Sequence, residues 1–173
     1  LLFIPKDNEG LLKGFTLAVT LITFVISLPL AFDDVFRTSG GMHYVEFAKW
    51  INIGDYFQMN YNVGVDGISL WLILLTTFIM PIATLSTWHS VDKQVKAFMA
   101  LLLLLETAML GAFISLDLFL FYIFWELMLI PMYFMIGIWG GGRRIYAAIK
   151  FFIFTAVGSL LIDRKSTRLN SSH

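Results

Sequence analysis

Cysteine is missing from the 173-residue chain, which removes disulfides, thiolate nucleophiles and cysteine-ligated iron–sulfur clusters from its own chemistry. Charge is scarce as well: Asp, Glu, Lys and Arg make up 14% of residues, twelve acidic against twelve basic. No basic cluster is interleaved with stacking aromatics, so nucleic acid is not an expected partner. A phosphate-cradling glycine loop is absent too, because Gly140 to Gly142 follow an apolar run and lead into Arg143 and Arg144 instead of opening a βαβ unit. His43 and His89 occur singly in loops, which leaves haem and zinc ligation unsupported. The chain is expected to hold no cofactor or metal of its own.

What fills the sequence instead is apolar: 58% hydrophobic residues and a mean hydropathy of +0.80, far above soluble globular usage. Four runs, at about 11–31, 67–88, 97–116 and 118–139, are long enough to cross a bilayer as helices, and a fifth at 146–162 is cut short. The expected fold is therefore all-α, a polytopic transmembrane helix bundle of about five spans. Residues 1–10 read as the end of an earlier helix and a loop. Residues 11–162 are the membrane domain, with an outward loop at 32–66. Residues 163–173 turn abruptly polar and resemble one reading frame of a sequencing adapter. They are expected to be a translated artefact, the alternative being a genuine polar loop.

The joints between spans carry further information. Lys13 is expected to snorkel to the headgroups, and the joint at Asp117 is short enough to force an antiparallel hairpin. Gly140 to Arg144 is a flexible, basic turn. The loop at 32–66 holds Asp33, Asp34, Glu46 and Asp55, a weak alternation over 44–51, and the interfacial aromatics Trp50, Tyr56, Phe57 and Tyr61, consistent with a short strand or helix at the membrane surface. If the spans alternate, Lys6, Lys13, Lys93, Lys96, Arg143 and Arg144 share one side and Arg37 and Lys49 the other. That bias makes the first side cytoplasmic and the acidic loop external.

Glu126 stands near the middle of the run 118–139, where an acid costs about 3 kcal/mol on insertion scales and is kept for a reason. The residues alone leave two readings: a switchable proton site, or a glutamate that holds helices together through neighbours such as Tyr122 or Trp125. Pro131 deprives the Leu127 carbonyl of its helical donor one turn beyond, which either admits water or merely kinks the helix. Glu106 is the second acid within a span. Counted from Asp117, its depth differs from that of Glu126 by about 3 Å at the rise of a helix. A shared polar pocket is open to the pair if they face each other, and a neutral carboxyl turned toward a partner subunit if they do not. Lys150 sits one turn into the fifth run, placed either to snorkel to the basic side or to relay protons. Asp66 precedes Gly67 at a helix start and reads as a cap in preference to an ion-entry residue, Asp117 at the hairpin turn reads as structural, and His89 as a surface histidine in preference to one that serves the helix dipole or titrates.

The stretch Ser115-Leu-Asp-Leu-Phe-Leu-Phe-Tyr-Ile-Phe-Trp-Glu126-Leu-Met-Leu-Ile-Pro131-Met-Tyr-Phe134, then Gly137-Ile-Trp-Gly-Gly141, Ala147-Ala-Ile-Lys150-Phe-Phe-Ile-Phe-Thr155 and Gly158-Ser-Leu-Leu161, closely resembles the subunit M family of proton-pumping NADH–quinone oxidoreductase. This is respiratory complex I, whose mitochondrial counterpart is NADH dehydrogenase subunit 4. Tyr61-Asn-Val-Gly-Val-Asp-Gly-Ile-Ser-Leu70 is similar to the same family. The resemblance implies a subunit of an enzyme that couples proton translocation to electron transfer from NADH to quinone. It implies that Glu126 matches an essential ionisable glutamate, paired with a lysine on a later, broken helix beyond this chain. A lysine beside a buried carboxylate favours the ionised form, and its withdrawal lets the acid take up a proton.

By the same resemblance, NADH, FMN, iron–sulfur clusters and quinone belong to other subunits. The partners are the other membrane subunits and the lipid bilayer, and the location is a bacterial inner membrane or, alternatively, a mitochondrial one. A subunit of a multisubunit sodium/proton antiporter and a non-transporting scaffold are the competing readings.

Overall fold

Helix α1 (Glu9–Ala31) opens the computed structural model, which describes residues 8–32, 43–53 and 57–170. Strands β1 (His43–Ile53) and β2 (Phe57–Val65) follow, then α2 (Gly67–Ser86), α3 (Val95–Ile114), α4 (Leu118–Trp139) and α5 (Arg144–Asn170). Expectations placed on Lys6, Asp33, Asp34, Arg37, Asp55 and Tyr56, and on the side chains of Lys49, Trp50, Phe57 and 163–173, lie outside the described residues. Helices α1 to α4 are each long and apolar enough to cross a membrane, and α5 covers the fifth apolar run. The helical membrane architecture is as expected, with a β-hairpin in the connection between α1 and α2.

The chain divides into two compact units, Leu1–Met128 and Leu129–His173, the boundary falling within α4. In the first unit, α1 packs on α2 through small hydroxyl residues. Thr16, Thr20 and Ser27 of α1 and Thr77 and Thr84 of α2 are buried, at spacings of four and seven that keep them on one helical face. Side chains of this size let two backbones approach closely, and in lipid the hydroxyl proton needs an internal acceptor. Thr16 donates to the Leu12 carbonyl at 3.0 Å, Thr20 to Leu17 at 3.0 Å and Thr84 to Met80 at 2.9 Å. Across the seam, Ser27 Oγ and Thr77 Oγ1 lie 2.8 Å apart.

Lys13 departs from expectation. It is buried, only 6% exposed, and its Nζ donates to the Trp88 carbonyl at 2.7 Å. The Trp88 carbonyl, just past the end of α2 and at the negative end of its dipole, offers a nearer acceptor than the headgroups. Fourteen residues on, Ser27 meets Thr77. The two contacts fix α1 and α2 as antiparallel neighbours.

Toward the other end, Val65, Leu70, Ile73 and Leu74 form an apolar cluster with Leu30, Ala31, Leu110, Phe113 and Ile114 packed on it. This cluster joins α1, α2 and α3 at one level. The α2 helix starts on Asp66, whose Oδ1 accepts the Ser69 N–H at 2.6 Å. That backbone bond, with a further contribution from the Ser69 side chain, holds the Asp66 carboxyl below its ordinary range. Asp117 caps the start of α4, accepting from Phe119 N–H at 2.8 Å and Leu120 N–H at 3.2 Å. Both acids are caps, as expected for Asp66, and for Asp117 the cap is the form its structural role takes.

Strands β1 and β2 pair antiparallel from His43↔Val65 to Ile53↔Phe57, with register shifts between His43 and Glu46 and between Lys49 and Ile51. The hairpin is pinned to the α3–α4 turn: Leu116 N–H donates to the Asn62 carbonyl at 3.0 Å, Val63 bridges to Ser115, and Gly64 abuts the Leu116 side chain. Helices α3 and α4 meet where the Phe124 ring rests against Gly111, so close that a Cβ there would overlap it. In the second unit, Tyr133 and Phe152 meet edge to face at 5.7 Å, and Arg144 Nη1 donates to the Ile138 carbonyl at 2.8 Å, satisfying the last turn of α4.

Two outcomes follow for stability. Gly111→Val pushes Phe124 off α3 and lowers unfolding free energy in detergent by about 1–3 kcal/mol, the range for overpacking a tight contact, measured by thermal unfolding. Asp66→Ala removes a cap that contributes about 1 kcal/mol at neutral pH. Because the folded carboxyl titrates below its unfolded range, this contribution is complete above about pH 4 and fades as pH falls through the lower folded value. A pH series on both proteins therefore converges under acid conditions.

Candidate functional site

Three ionisable side chains lie within the apolar helices as candidate site residues: Glu106 on α3, Glu126 on α4 and Lys150 on α5. Glu106 is in the first unit and is 4% exposed. It belongs to the buried stripe Val95, Met99, Leu102, Glu106 on a helix that packs against both α1 and α2. Its Oε1 has no hydrogen-bond partner among the described residues. A polar atom enclosed in this way is costly unless it finds a partner.

Glu126 is placed differently. It lies nine residues beyond Asp117, about 13 Å along α4 at 1.5 Å per residue, well inside the span. Within this chain its side chain is exposed, on a stripe with Phe119, Ile123, Ile130 and Phe134. All five recur at helical spacing, so Glu126 is the single polar member of an otherwise apolar face. The enclosure expected for it is not supplied by these residues. Trp125 packs on Phe121 at 5.7 Å beside it. Pro131, fully buried, leaves the Leu127 carbonyl without its helical donor one turn beyond.

The two acids are not brought together. On α3, Glu106 is five residues from Gly111, about 140° around the helix from the point where Phe124 touches. On α4, Glu126 is two residues from Phe124, about 200° around. Each carboxyl thus points away from the α3–α4 contact, and similar depth does not make a shared pocket. Sequence position gave depth without direction, and direction is what separates them.

Lys150 is in the second unit, exposed, with its Nζ 5.8 Å from the centre of the Tyr146 ring, one turn back toward the basic turn. With Ile149, Ile153 and Phe154 these residues line a groove of about 330 Å³. An ammonium over an aromatic face is stabilised by about 0.5–1 kcal/mol at an exposed site, an arrangement suited to an interfacial lysine. Among the described residues no group of three His, Asp or Glu is placed to hold a metal ion.

Comparison with known proteins gives a consistent result. Residues 11–112 match the family described as NADH-ubiquinone oxidoreductase chain 4, amino terminus, and residues 115–162 match the transmembrane family of NADH:quinone oxidoreductase and Mrp antiporters. The chain is 47% identical over 152 residues to NADH-quinone oxidoreductase subunit M of Rhodobacter capsulatus, covering 87% of this chain and 28% of that protein. It is 41% identical to NADH-ubiquinone oxidoreductase chain 4 of Prototheca wickerhamii, covering 94% and 33%, and 38% identical to F(420)H(2) dehydrogenase subunit M of Methanosarcina mazei, covering 92% and 31%. It spans about a third of the length of these relatives or less.

The contrast between the two acids is directly measurable, because the chain has no cysteine to interfere. In detergent micelles, Glu126→Cys in this chain reacts with a maleimide at least about tenfold faster than Glu106→Cys, since thiol reactivity follows exposure. Equal rates would contradict the burial described for Glu106.

Proposed function

The chain belongs to the family of NADH-ubiquinone oxidoreductase chain 4 amino termini, and on that footing we propose that it serves in a membrane subunit that translocates protons as electrons pass from NADH to quinone. The observation that carries the reading is Glu126: a carboxylate well inside a helix long and apolar enough to cross a membrane, on a face whose other members are apolar. Such a residue is retained against its insertion cost where it exchanges a proton or ion. Its exposure in this chain fits a site completed by helices contributed from outside these residues, including the lysine partner that the family resemblance implies. A proton then enters the carboxyl when the lysine withdraws and leaves when it returns.

The enzyme reading applies to the assembly. This chain supplies no cysteine for an iron–sulfur cluster, and NADH, FMN, the clusters and quinone fall to other subunits. The Methanosarcina relative is named for a different electron donor, which supports a role remote from donor chemistry. Other membrane subunits are the partners, and the apolar stripe of α4 is a natural surface for them or for lipid. An antiporter subunit is the second reading, favoured by the Mrp antiporter part of the family matched at 115–162. The match at 11–112 to the oxidoreductase alone weighs against it.

Glu126→Gln in the full-length subunit, assembled in its complex, abolishes proton pumping while the complex still assembles. Pumping at the unmodified rate in an assembled complex would sink the proton-site reading. Lys150→Ala, by contrast, leaves pumping within about twofold, as expected of an interfacial side chain whose ring contact is worth under 1 kcal/mol.

A further inference from the structure

The burial of Glu106 gains meaning from its level in the first unit. The apolar cluster sets Leu30 of α1, Ile73 and Leu74 of α2 and Leu110 of α3 at one height. One helical turn inward from each brings Ser27, Thr77 and Glu106 to the next layer on the same faces, since residues three or four apart share a face. All three are buried, and Ser27 and Thr77 are already in contact at 2.8 Å. Pro81 has no N–H for the Thr77 carbonyl, so that oxygen also lacks its helical donor. The layer therefore collects a carboxyl, two hydroxyls and a carbonyl inside an otherwise apolar seam.

Counting protons decides what this layer can do. Each hydroxyl has one. Ser27 is placed to donate to the Phe24 carbonyl at 2.7 Å, and Thr77 to Ile73 at 3.0 Å or Leu74 at 3.2 Å. If one proton bridges the hydroxyl pair, the other goes to a carbonyl. Nothing is left to donate to a carboxylate, and only lone pairs face the layer. Among the described residues no cation is close to compensate a bare charge. On α1 the ionisable residues are Glu9 and Lys13, and Lys13 lies fourteen residues, about 21 Å, below Ser27 on its Trp88 carbonyl. Helix α2 has none, Lys96 is about 15 Å along α3 from Glu106, and Glu126 faces away on α4.

We propose that Glu106, Ser27 and Thr77 form a water-bridged protonation site in the α1–α2–α3 seam, separate from Glu126, in which Glu106 holds a proton. The neutral carboxyl donates to one bound water, and the water donates to the lone pairs of the hydroxyl pair or to the Thr77 carbonyl. This gives the unpartnered Glu106 Oε1 a partner and meets a buried water's need for two to four polar neighbours. The ligand is thus water together with an exchangeable proton. The site goes beyond the role proposed for Glu126 and does not depend on it.

Infrared spectroscopy of the complex containing the full-length subunit tests this without reference to pumping. Glu106→Gln should remove one protonated-carboxyl stretch that shifts in deuterated water. Ser27→Ala and Thr77→Val should each move that same band to higher frequency, because the water that accepts from the acid loses an acceptor of its own and is held less firmly. Loss of carboxylate bands in Glu106→Gln, a band unmoved by both hydroxyl variants, or a band abolished by sodium ions would overturn the proposal. Should Glu106→Gln fail to assemble, Ser27→Ala still reads the band in the native glutamate, and no shift there is equally fatal. A normal result here alongside unchanged pumping in Glu126→Gln would retain this site and remove the other.

Discussion

Everything in the first unit depends on the requirement that polar atoms in lipid find partners within the protein. Helices satisfy their own backbones, so what remains to be matched is side chains, helix ends and the carbonyls freed by proline. The α1–α2 seam meets this with hydroxyls that bond within their own helix and so let the two helices approach without leaving orphaned groups. Lys13 meets it at the end of α2, where a cation complements the carbonyl of Trp88 and the negative end of the helix dipole. Once those matches are made, the height of every residue on α1 and α2 is set, and α3 is positioned by the shared apolar cluster.

Much of this was legible in the residues. Span length and hydropathy gave the helices, and Asp66 marked a helix start because a carboxylate just ahead of an apolar run accepts free N–H groups; Asp117, legible only as a structural turn residue, caps α4 in the same way. The hairpin was only half visible. Val45 and Phe47 alternate with polar neighbours, and Gly54-Asp55 is turn chemistry, yet the run is too short and too weakly patterned to choose strand over helix. Lys13 was misjudged because a lysine near a span end reads as interfacial, and sequence does not say which carbonyls come within reach. The seam could have been found from Thr16, Thr20 and Ser27 with Thr77 and Thr84, whose spacings of four and seven mark one face.

The two acids show where such reading ends. Counting from Asp117 correctly placed both in the interior of their spans, but rotation about the helix axis is fixed by packing. It was Gly111, a residue with no side chain, that set it, by admitting the Phe124 ring. Glu106 consequently lies on the buried stripe of its helix, while Glu126 lies on an exposed face whose other members are apolar. Two carboxylates on adjacent helices thus meet different surroundings, the first a closed seam and the second a surface open to further protein.

The pinning of the hairpin to the α3–α4 turn also divides the first unit along its length. At that end, strand pairing, the Asn62–Leu116 bond and the apolar cluster must be broken together for any one helix to loosen. At the opposite end no strand pairing is present among the described residues, and beside buried side chains such as Leu12 and Met99 one side-chain bond, Lys13 to Trp88, ties α1 to the turn after α2. Opening free energy therefore falls from the hairpin end toward the lysine end. Thermal fraying begins at the lysine end, and the polar layer around Glu106, next to the pinned cluster, lies on the slow-exchanging side of that gradient.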